Sequence, residues 1–154
     1  MLVEIARGSV ALLAAMDLSA IRDQLAGHSD PLLILGSLFA SSPFPAQVFA
    51  ASGRSVLVND AFRALFGAEP ADDYSVLEDA IVERAGILGY IRQAFAGEAT
   101  RVPAVWYDLG APTHPGEDGA VRRVGVESQL IPLHDESRAL AYVLAFFSDR
   151  TEGA

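Results

Sequence analysis

The chain has 154 residues, of which 51% are hydrophobic and 20% are charged, so it can bury one domain-sized core and carries too little charge for a disordered chain. Its 11 basic and 20 acidic residues give a formal net charge of −9, which disfavours binding to nucleic acids and to anionic membrane surfaces. The sequence has no cysteine, which excludes disulfides, thiolate metal sites and cysteine nucleophiles and fits the cytoplasmic location that we expect.

The first 42 residues are predicted to form a helical extension that is separate from the rest of the chain. The first helix of this extension carries apolar residues at helical spacing, among them Leu2, Val10 and Leu13. A second helix is predicted to end at Gly27, and a third begins at Ser29-Asp30-Pro31, where a capping residue precedes a proline. The apolar run near the start is far shorter than the ~20 residues of a transmembrane helix, so we predict no membrane insertion by this segment.

Residues 43–152 alternate between short strands and helices and are predicted to form one α+β domain. Asn59 is expected to cap the first helix of this domain and Gly67 to end it. Hairpins flank a helical segment, so we expect an antiparallel sheet with helices on one face. The predicted elements are strands at 47–52 and 55–58, helices at 60–67 and 87–96, and strands at 100–109, 121–133 and 139–149.

Several short motifs follow one another in this part of the chain. They are Asn59-Asp60-Ala61-Phe62, Leu65-Phe66-Gly67, Ala96-Gly97-Glu98, Pro132-Leu133-His134-Asp135 and Asp149-Arg150-Thr151-Glu152. In this order and spacing they resemble a PAS domain, the sensor domain of bacterial histidine kinases and related signalling proteins. The resemblance implies a five-stranded sheet in the order 2-1-5-4-3 and a regulatory module that is not itself a catalyst. Arg150 departs from the family pattern, which has Ile or Val at that position.

The resemblance also implies that one face of the sheet, together with Tyr90 of the second helix, lines a small ligand pocket. The candidate ligand-binding residues are Tyr90, Val105, Tyr107, Val126, Ser128, Val143 and Phe147. Pro103, Leu130 and Ala145 are expected to share the inner face, since side chains alternate between the two faces of a strand. From the sequence we prefer the alternative, in which these side chains simply fill the core and leave no pocket.

The opposite face is predicted to carry Glu127 and Gln129 together with an apolar surface. A sheet face that meets water should alternate apolar and polar side chains, so an apolar one needs a cover. We predict a homodimer in which the N-terminal helices cover this face, whereas the alternative is that the helices fold back within one monomer. The predicted dimer or lid face comprises Leu2, Val10, Leu13, Trp106, Tyr142, Leu144 and Phe146.

The closing motif predicts where a signal leaves the domain. By the resemblance, Asp149 pairs with a group near the first hairpin, where Arg54 is available, and Thr151 caps a following helix. Because the chain ends at Ala154, we expect this segment to belong to a longer protein of a two-component system. An effector such as a histidine kinase would then follow residue 152.

No cofactor and no metal are predicted. Haem-binding relatives need a histidine on or near the second helix, which has none, and relatives with a Cys-linked flavin or chromophore need the cysteine that is absent. An enzyme remains the alternative function, namely an acid–base catalyst of the ketosteroid-isomerase-like type that uses Glu127, Tyr107 or His134. We prefer to interpret Glu127 as an outward-facing residue paired with an Arg from the N-terminal region.

Overall fold

The computed structural model describes residues 18–109 and 122–152. The chain divides into two compact units, Met1–Phe39 and Ala40–Ala154, whereas the sequence places the boundary after residue 42. Helices α1 (Ser19–Leu25) and α2 (Pro31–Ala40) come first, and neither buries a residue. Helix α2 begins as predicted, because the Leu33 amide donates a hydrogen bond to the Asp30 carboxylate at 3.2 Å. The helix predicted before residue 17, with Leu2, Val10 and Leu13, lies outside the described residues.

The second unit contains the predicted five-stranded antiparallel sheet, in the order β2-β1-β5-β4-β3. Its elements are β1 (Ala46–Ala50), β2 (Ser55–Val58), α3 (Asp60–Phe66), a 3₁₀ helix (Val76–Glu78), α4 (Ala80–Arg84), α5 (Leu88–Phe95), β3 (Thr100–Leu109), β4 (Arg122–His134) and β5 (Leu140–Asp149). The chain therefore leaves the sheet after β2, passes through the helices and rejoins the sheet at its opposite edge as β3. Strands β1 and β5 lie between these edges, so the start and the end of the domain meet at the centre of the sheet.

Asn59 joins the first hairpin to helix α3 and is only 1% exposed. Its side-chain oxygen accepts hydrogen bonds from the backbone N–H groups of Phe62 at 3.0 Å and Ala46 at 2.9 Å, and its amide nitrogen donates to the Phe44 carbonyl at 2.9 Å. One side chain thus caps the helix and also fixes the start of β1. The helix ends at Gly67, whose φ of 79° is a left-handed conformation that glycine adopts without strain.

Strand β3 contains an extra residue relative to β4. The pairing passes from Val102↔Ser128 to Val105↔Val126, so three steps on β3 match two on β4. Val102 is 1% exposed at this bulge, whereas Pro103 is exposed. The prediction that Pro103 faces the helices is therefore wrong. The reason is that strict alternation fails at a bulge, which is also where a strand tolerates a residue without an N–H donor.

The core lies between the inner face of the sheet and helices α4 and α5. Ile87 and Ile91, one helical turn apart, pack with Val82 against the sheet. On the sheet side, Val143 and Ala145 of the central strand β5 are fully buried. This packing positions the helices over the inner face of the sheet, where the cavity described next is found.

A cavity between the sheet and the helices as candidate functional site

A cavity of about 260 Å³ lies between the inner face of the sheet and the helical segment. Aromatic and aliphatic side chains form most of its wall, and a few polar side chains interrupt it. The lining residues are Gln47, Phe49, Phe62, Phe66, Ala68, Glu69, Pro70, Tyr74, Val76, Asp79, Val82, Ile87, Ile91, Tyr107, Ser128, Leu130, Ala145 and Phe147. A concave, mainly apolar space with a few polar groups is the usual form of a small-molecule site.

The Asp79 carboxylate organises one polar part of the wall. Its Oδ1 accepts hydrogen bonds from the backbone N–H groups of Ile81 at 2.7 Å and Val82 at 3.4 Å, which caps helix α4. Its Oδ2 accepts the hydroxyl hydrogen of Tyr74 at 2.5 Å. Burial, and then this hydrogen bond, raise the pKa of Tyr74 well above its usual range, so the tyrosine stays neutral.

Tyr107 on β3 and Ser128 on β4 present hydroxyl groups that the fold leaves free. Within the described part of the chain, neither hydroxyl has a hydrogen-bond partner, and both side chains line the cavity. Burial raises the pKa of the Tyr107 hydroxyl to about 12, and the charge of Asp79 adds to the shift. Gln47 is 4% exposed and donates its amide N–H to the Ser55 hydroxyl at 2.9 Å, so among the described residues its side-chain oxygen is left as a free acceptor.

The wall segment that carries Tyr74 is tied to the hairpin of β1 and β2. The Ser55 amide donates to the Tyr74 carbonyl at 3.1 Å, and the Val76 amide donates to the Gly53 carbonyl at 3.0 Å. Gly53 has a φ of 92°, and a Cβ built on it would lie 2.8 Å from Cγ of Leu77. Only glycine fits at position 53, and its small size lets the cavity wall approach the hairpin this closely.

The predicted pocket residues fall into three groups in the structure. Tyr107, Ser128 and Phe147 line the cavity. Val126 and Val143 are buried and Val105 is partly buried, all in the surrounding core. Tyr90 is 41% exposed on α5 and is absent from the lining, so its predicted place in the pocket is corrected. The physical reason is the helical rotation of 100° per residue, which turns Tyr90 away when Ile91 faces the sheet.

Gln47, Tyr74 and Asp79 are cavity residues that the sequence analysis did not identify. Gln47 lies on the strand predicted at 47–52, and the other two lie between the helices predicted at 60–67 and 87–96. A signal was available for Asp79, since an Asp directly before an apolar helical run predicts an N-cap. No local signal links Tyr74 to Asp79 across the wall, because their contact depends on the tertiary path of the loop.

On the outer face of the sheet, Trp106 lies far from the other apolar residues of the predicted dimer or lid face. Trp106 pairs with Gly125, whereas Tyr142 pairs with Leu133. Gly125 and Leu133 lie eight residues apart on β4, roughly 26 Å at the rise of an antiparallel strand. The predicted patch is therefore not continuous. Tyr142, Leu144 and Phe146 of β5 form an apolar surface with residues of β1, β2 and β4, namely Val48, Leu57, Ile131 and Leu133.

Between these two ends of the outer face lies Glu127, whose side chain is 14% exposed. It forms an ion pair with Arg101 of β3 and another with Arg150 at 3.3 Å. The predicted N-terminal partner is thus replaced by arginines of the sheet unit. Glu127 is absent from the cavity lining, and His134 lies exposed at the end of β4. Glu127 therefore does not lie in the cavity beside Tyr107, which is the arrangement that would favour the enzyme alternative.

The closing motif folds back onto β4. Asp149 Oδ1 accepts the backbone N–H of Thr151 at 2.9 Å, and the Thr151 hydroxyl accepts the N–H of Gly125 at 3.1 Å. Arg54 instead donates to the Asp72 carbonyl at 3.1 Å. The predicted pairing of Arg54 with Asp149 is wrong, because the first turn lies beside the start of β5 and Asp149 lies at its end. The helix that Thr151 was predicted to cap lies outside the described residues.

Within residues 18–109 and 122–152, no group of acidic or histidine side chains has an arrangement suited to a metal ion. In the same ranges, no helix has both the length and the apolar character needed to cross a bilayer. The absence of a cofactor stays a prediction.

Solved structures share this fold at low sequence identity. An RNA-binding Light-Oxygen-Voltage receptor matches with a TM-score of 0.60 and 19% identity over 79% of this chain and 33% of that chain, so this chain spans about a third of the receptor. A PAS domain from Colwellia psychrerythraea matches with a TM-score of 0.52 and 15% identity over 79% and 98%. The PAS domain of an HTR-like protein from Haloarcula marismortui matches with a TM-score of 0.50 and 21% identity over 77% and 90%.

No curated protein resembles the chain closely enough to count as a match. The family evidence comes instead from a family model described as the PAS fold, which matches residues 39–154. That range contains the whole sheet, the helical segment and the cavity. The chain therefore belongs to the PAS family.

Proposed function

We propose that this PAS domain is a sensory module of a bacterial signal-transduction protein in the cytoplasm. It binds a small molecule in the cavity and passes the occupied state to an effector in the same longer chain, such as a histidine kinase. The observation that carries the proposal is the pair of free hydroxyls, Tyr107 and Ser128, in an otherwise apolar cavity. A core that served only stability would be filled and would pair its polar groups.

The route from the cavity to the exit of the domain runs through adjacent residues of the sheet. Ser128 lines the cavity, and Glu127 beside it points to the other face, where it pairs with Arg150 at 3.3 Å. Phe147 lines the cavity two residues before Asp149, which holds Thr151. A ligand that displaces Ser128 moves β4, and one that displaces Phe147 moves β5. Each of these strands also carries a contact at the end of the domain, and this supports signal transfer at Asp149 and Thr151.

The apolar outer surface of the central strands supports the homodimer. Tyr142 is 47% exposed, Leu133 is 38% exposed and Leu57 is 57% exposed, and they adjoin Leu144 and Phe146 across neighbouring strands. We assign this surface to a second copy of the chain. Leu2, Val10 and Leu13 remain proposed contributors to the same interface.

Ligand sensing is tested by thermal unfolding of the wild type and of Ala145→Leu in the presence of a metabolite library. Ala145 lines the cavity and is fully buried, so a leucine fills the space; Ala94 is equally buried outside the lining and provides the control Ala94→Leu. A ligand should raise the melting temperature of the wild type and of the control but not of Ala145→Leu. A library without any stabilising compound would favour a pure interaction module with a closed core.

Dimerisation is tested by analytical ultracentrifugation of the wild type and of Tyr142→Arg. A buried arginine without a partner is costly, so this variant should dissociate the dimer at least tenfold more readily. Tyr90→Arg is the matched control, because Tyr90 is 41% exposed and lies on α5 rather than on the outer face of the sheet. A wild type that sediments as a monomer at all concentrations would refute the dimer.

A further inference from the structure

We infer that the cavity takes a compact, uncharged ring compound that carries a hydrogen-bond donor, and that it rejects anions. Phenol represents this class. The inference rests on the proposed sensory function, because it names the ligand class of the same cavity.

The size and walls of the cavity select a small ring. Its volume of about 260 Å³ lies below the ~300–1,000 Å³ of sites that take drug-sized ligands. Three aromatic side chains form one side of it, with ring centroids of Phe66 and Phe147 5.3 Å apart and those of Phe66 and Tyr107 6.0 Å apart. Edge-to-face contacts of this kind favour another ring over an aliphatic chain.

The charges around the cavity disfavour an anion. Asp79 and Glu69 both line it, and no arginine or histidine of the described residues does. A buried anion would lose its hydration without gaining a cationic partner, and it would be repelled by the Asp79 carboxylate. The raised pKa of Tyr107 has the same origin, since burial and Asp79 together oppose a negative charge on its hydroxyl.

A cation gains little from Asp79, because that carboxylate is already satisfied. It accepts hydrogen bonds from the N–H groups of Ile81 and Val82 and from the Tyr74 hydroxyl. The carboxylate stays charged and so still repels an anion, but an ammonium group would have to compete with the Tyr74 hydroxyl for Oδ2. Glu69, the other acidic residue of the lining, is already paired with Arg63 at 2.6 Å. The acidic residues that line the cavity therefore favour an uncharged ligand.

The polar groups left free define what the ligand must carry. The Gln47 amide nitrogen is committed to Ser55 at 2.9 Å, so its oxygen is an acceptor that needs a donor from the ligand. The hydroxyls of Tyr107 and Ser128 can each donate to a ligand oxygen. A phenolic hydroxyl meets both requirements, because it donates one hydrogen bond and accepts another.

The test is an NMR titration of ¹⁵N-labelled full chain with phenol, anisole and benzoate. Anisole keeps the ring and the oxygen of phenol but lacks the donor, and benzoate carries a negative charge on a ring of similar size. Phenol should shift the amide signals of cavity residues and bind at least tenfold more tightly than either comparison compound. Gln47→Leu should reduce the preference for phenol over anisole to less than threefold, and the amide spectrum of each variant reports whether it is folded.

The outcomes separate the inference from the proposed function. Benzoate binding at the cavity as tightly as phenol would overturn the inference while leaving the sensory cavity in place. An unchanged phenol-to-anisole ratio in folded Gln47→Leu would equally overturn the requirement for a donor. If that variant does not fold, Tyr107→Phe takes its place, and an unchanged affinity for phenol in it would contradict the hydrogen-bonding argument. The absence of binding by all three compounds would overturn the inference, whereas the proposed sensing function fails only if the metabolite library also contains no compound that stabilises the wild type.

Discussion

Replacing Asn59 by alanine removes a side chain that satisfies the backbone at three places. The lost helix cap costs about 1 kcal/mol. The N–H of Ala46, which is fully buried, loses its acceptor at 2.9 Å, and an unsatisfied buried donor costs roughly 1–3 kcal/mol. The Phe44 carbonyl loses a donor as well. We therefore expect Asn59→Ala to lower the free energy of unfolding by about 2–4 kcal/mol.

The assay is urea unfolding followed by circular dichroism near 218 nm, where the strands and the helices both contribute to the signal. With an m-value of about 2 kcal/mol/M, the expected loss moves the midpoint down by roughly 1–2 M. Gln93→Ala on the exposed side of α5 is the control and should change the free energy of unfolding by less than about 0.5 kcal/mol. A loss below about 1 kcal/mol for Asn59→Ala would show that the hairpin and the helix do not depend on this side chain.

Further predictions concern the hairpin, the cavity and the exit. Gly53→Ala should destabilise the domain by about 1–3 kcal/mol in urea unfolding, and by more than Gly67→Ala, which shares a positive φ but has open space around it. The pKa of Tyr107 is about 12 in the folded protein and lies near 10 in an unfolded chain, so its contribution to stability should be complete below pH 10 and lost as the pH rises to about 12. Thermal unfolding of Tyr107→Phe should lack that part of the pH dependence, and an identical pH profile would contradict the burial of this hydroxyl. Glu127→Gln should speed hydrogen exchange of the amide of Thr151 severalfold, because the charge that holds Arg150 is lost. Unchanged exchange would mean that the ion pair does not hold the segment that follows β5 in place.

Local sequence signals predicted the ends of an element correctly where a single residue determines the backbone conformation there. Asn59 predicted the start of α3, and Gly67 predicted its end, because each acts on the amides beside it. The strand order followed from the resemblance to the family, since nothing in alternation alone states which strands are neighbours. Residues such as Tyr107 and Ser128 were placed on the inner face correctly because β3 and β4 alternate regularly around them.

Non-local features account for the parts that the sequence could not supply. The bulge after Val102 shifts the alternation of β3 and exposes Pro103, and no composition signal predicts such an insertion. The partner of Arg54 depends on which end of β5 the first turn reaches, so a plausible charge pair with Asp149 proved wrong. The cavity itself is defined by Tyr74 and the loop around it, whose path depends on tertiary contacts.

Trp106 is the single tryptophan of the chain and lies where the chain leaves the sheet. A Cβ at position 125 would lie 3.3 Å from Cζ2 and Cη2 of its indole and 3.4 Å from the carbonyl carbon of Arg150. The guanidinium of Arg123 stands 5.4 Å from the ring centroid. The protein therefore contains its own fluorophore beside the end of β5, and a shift of its emission spectrum can register movement there without an attached dye.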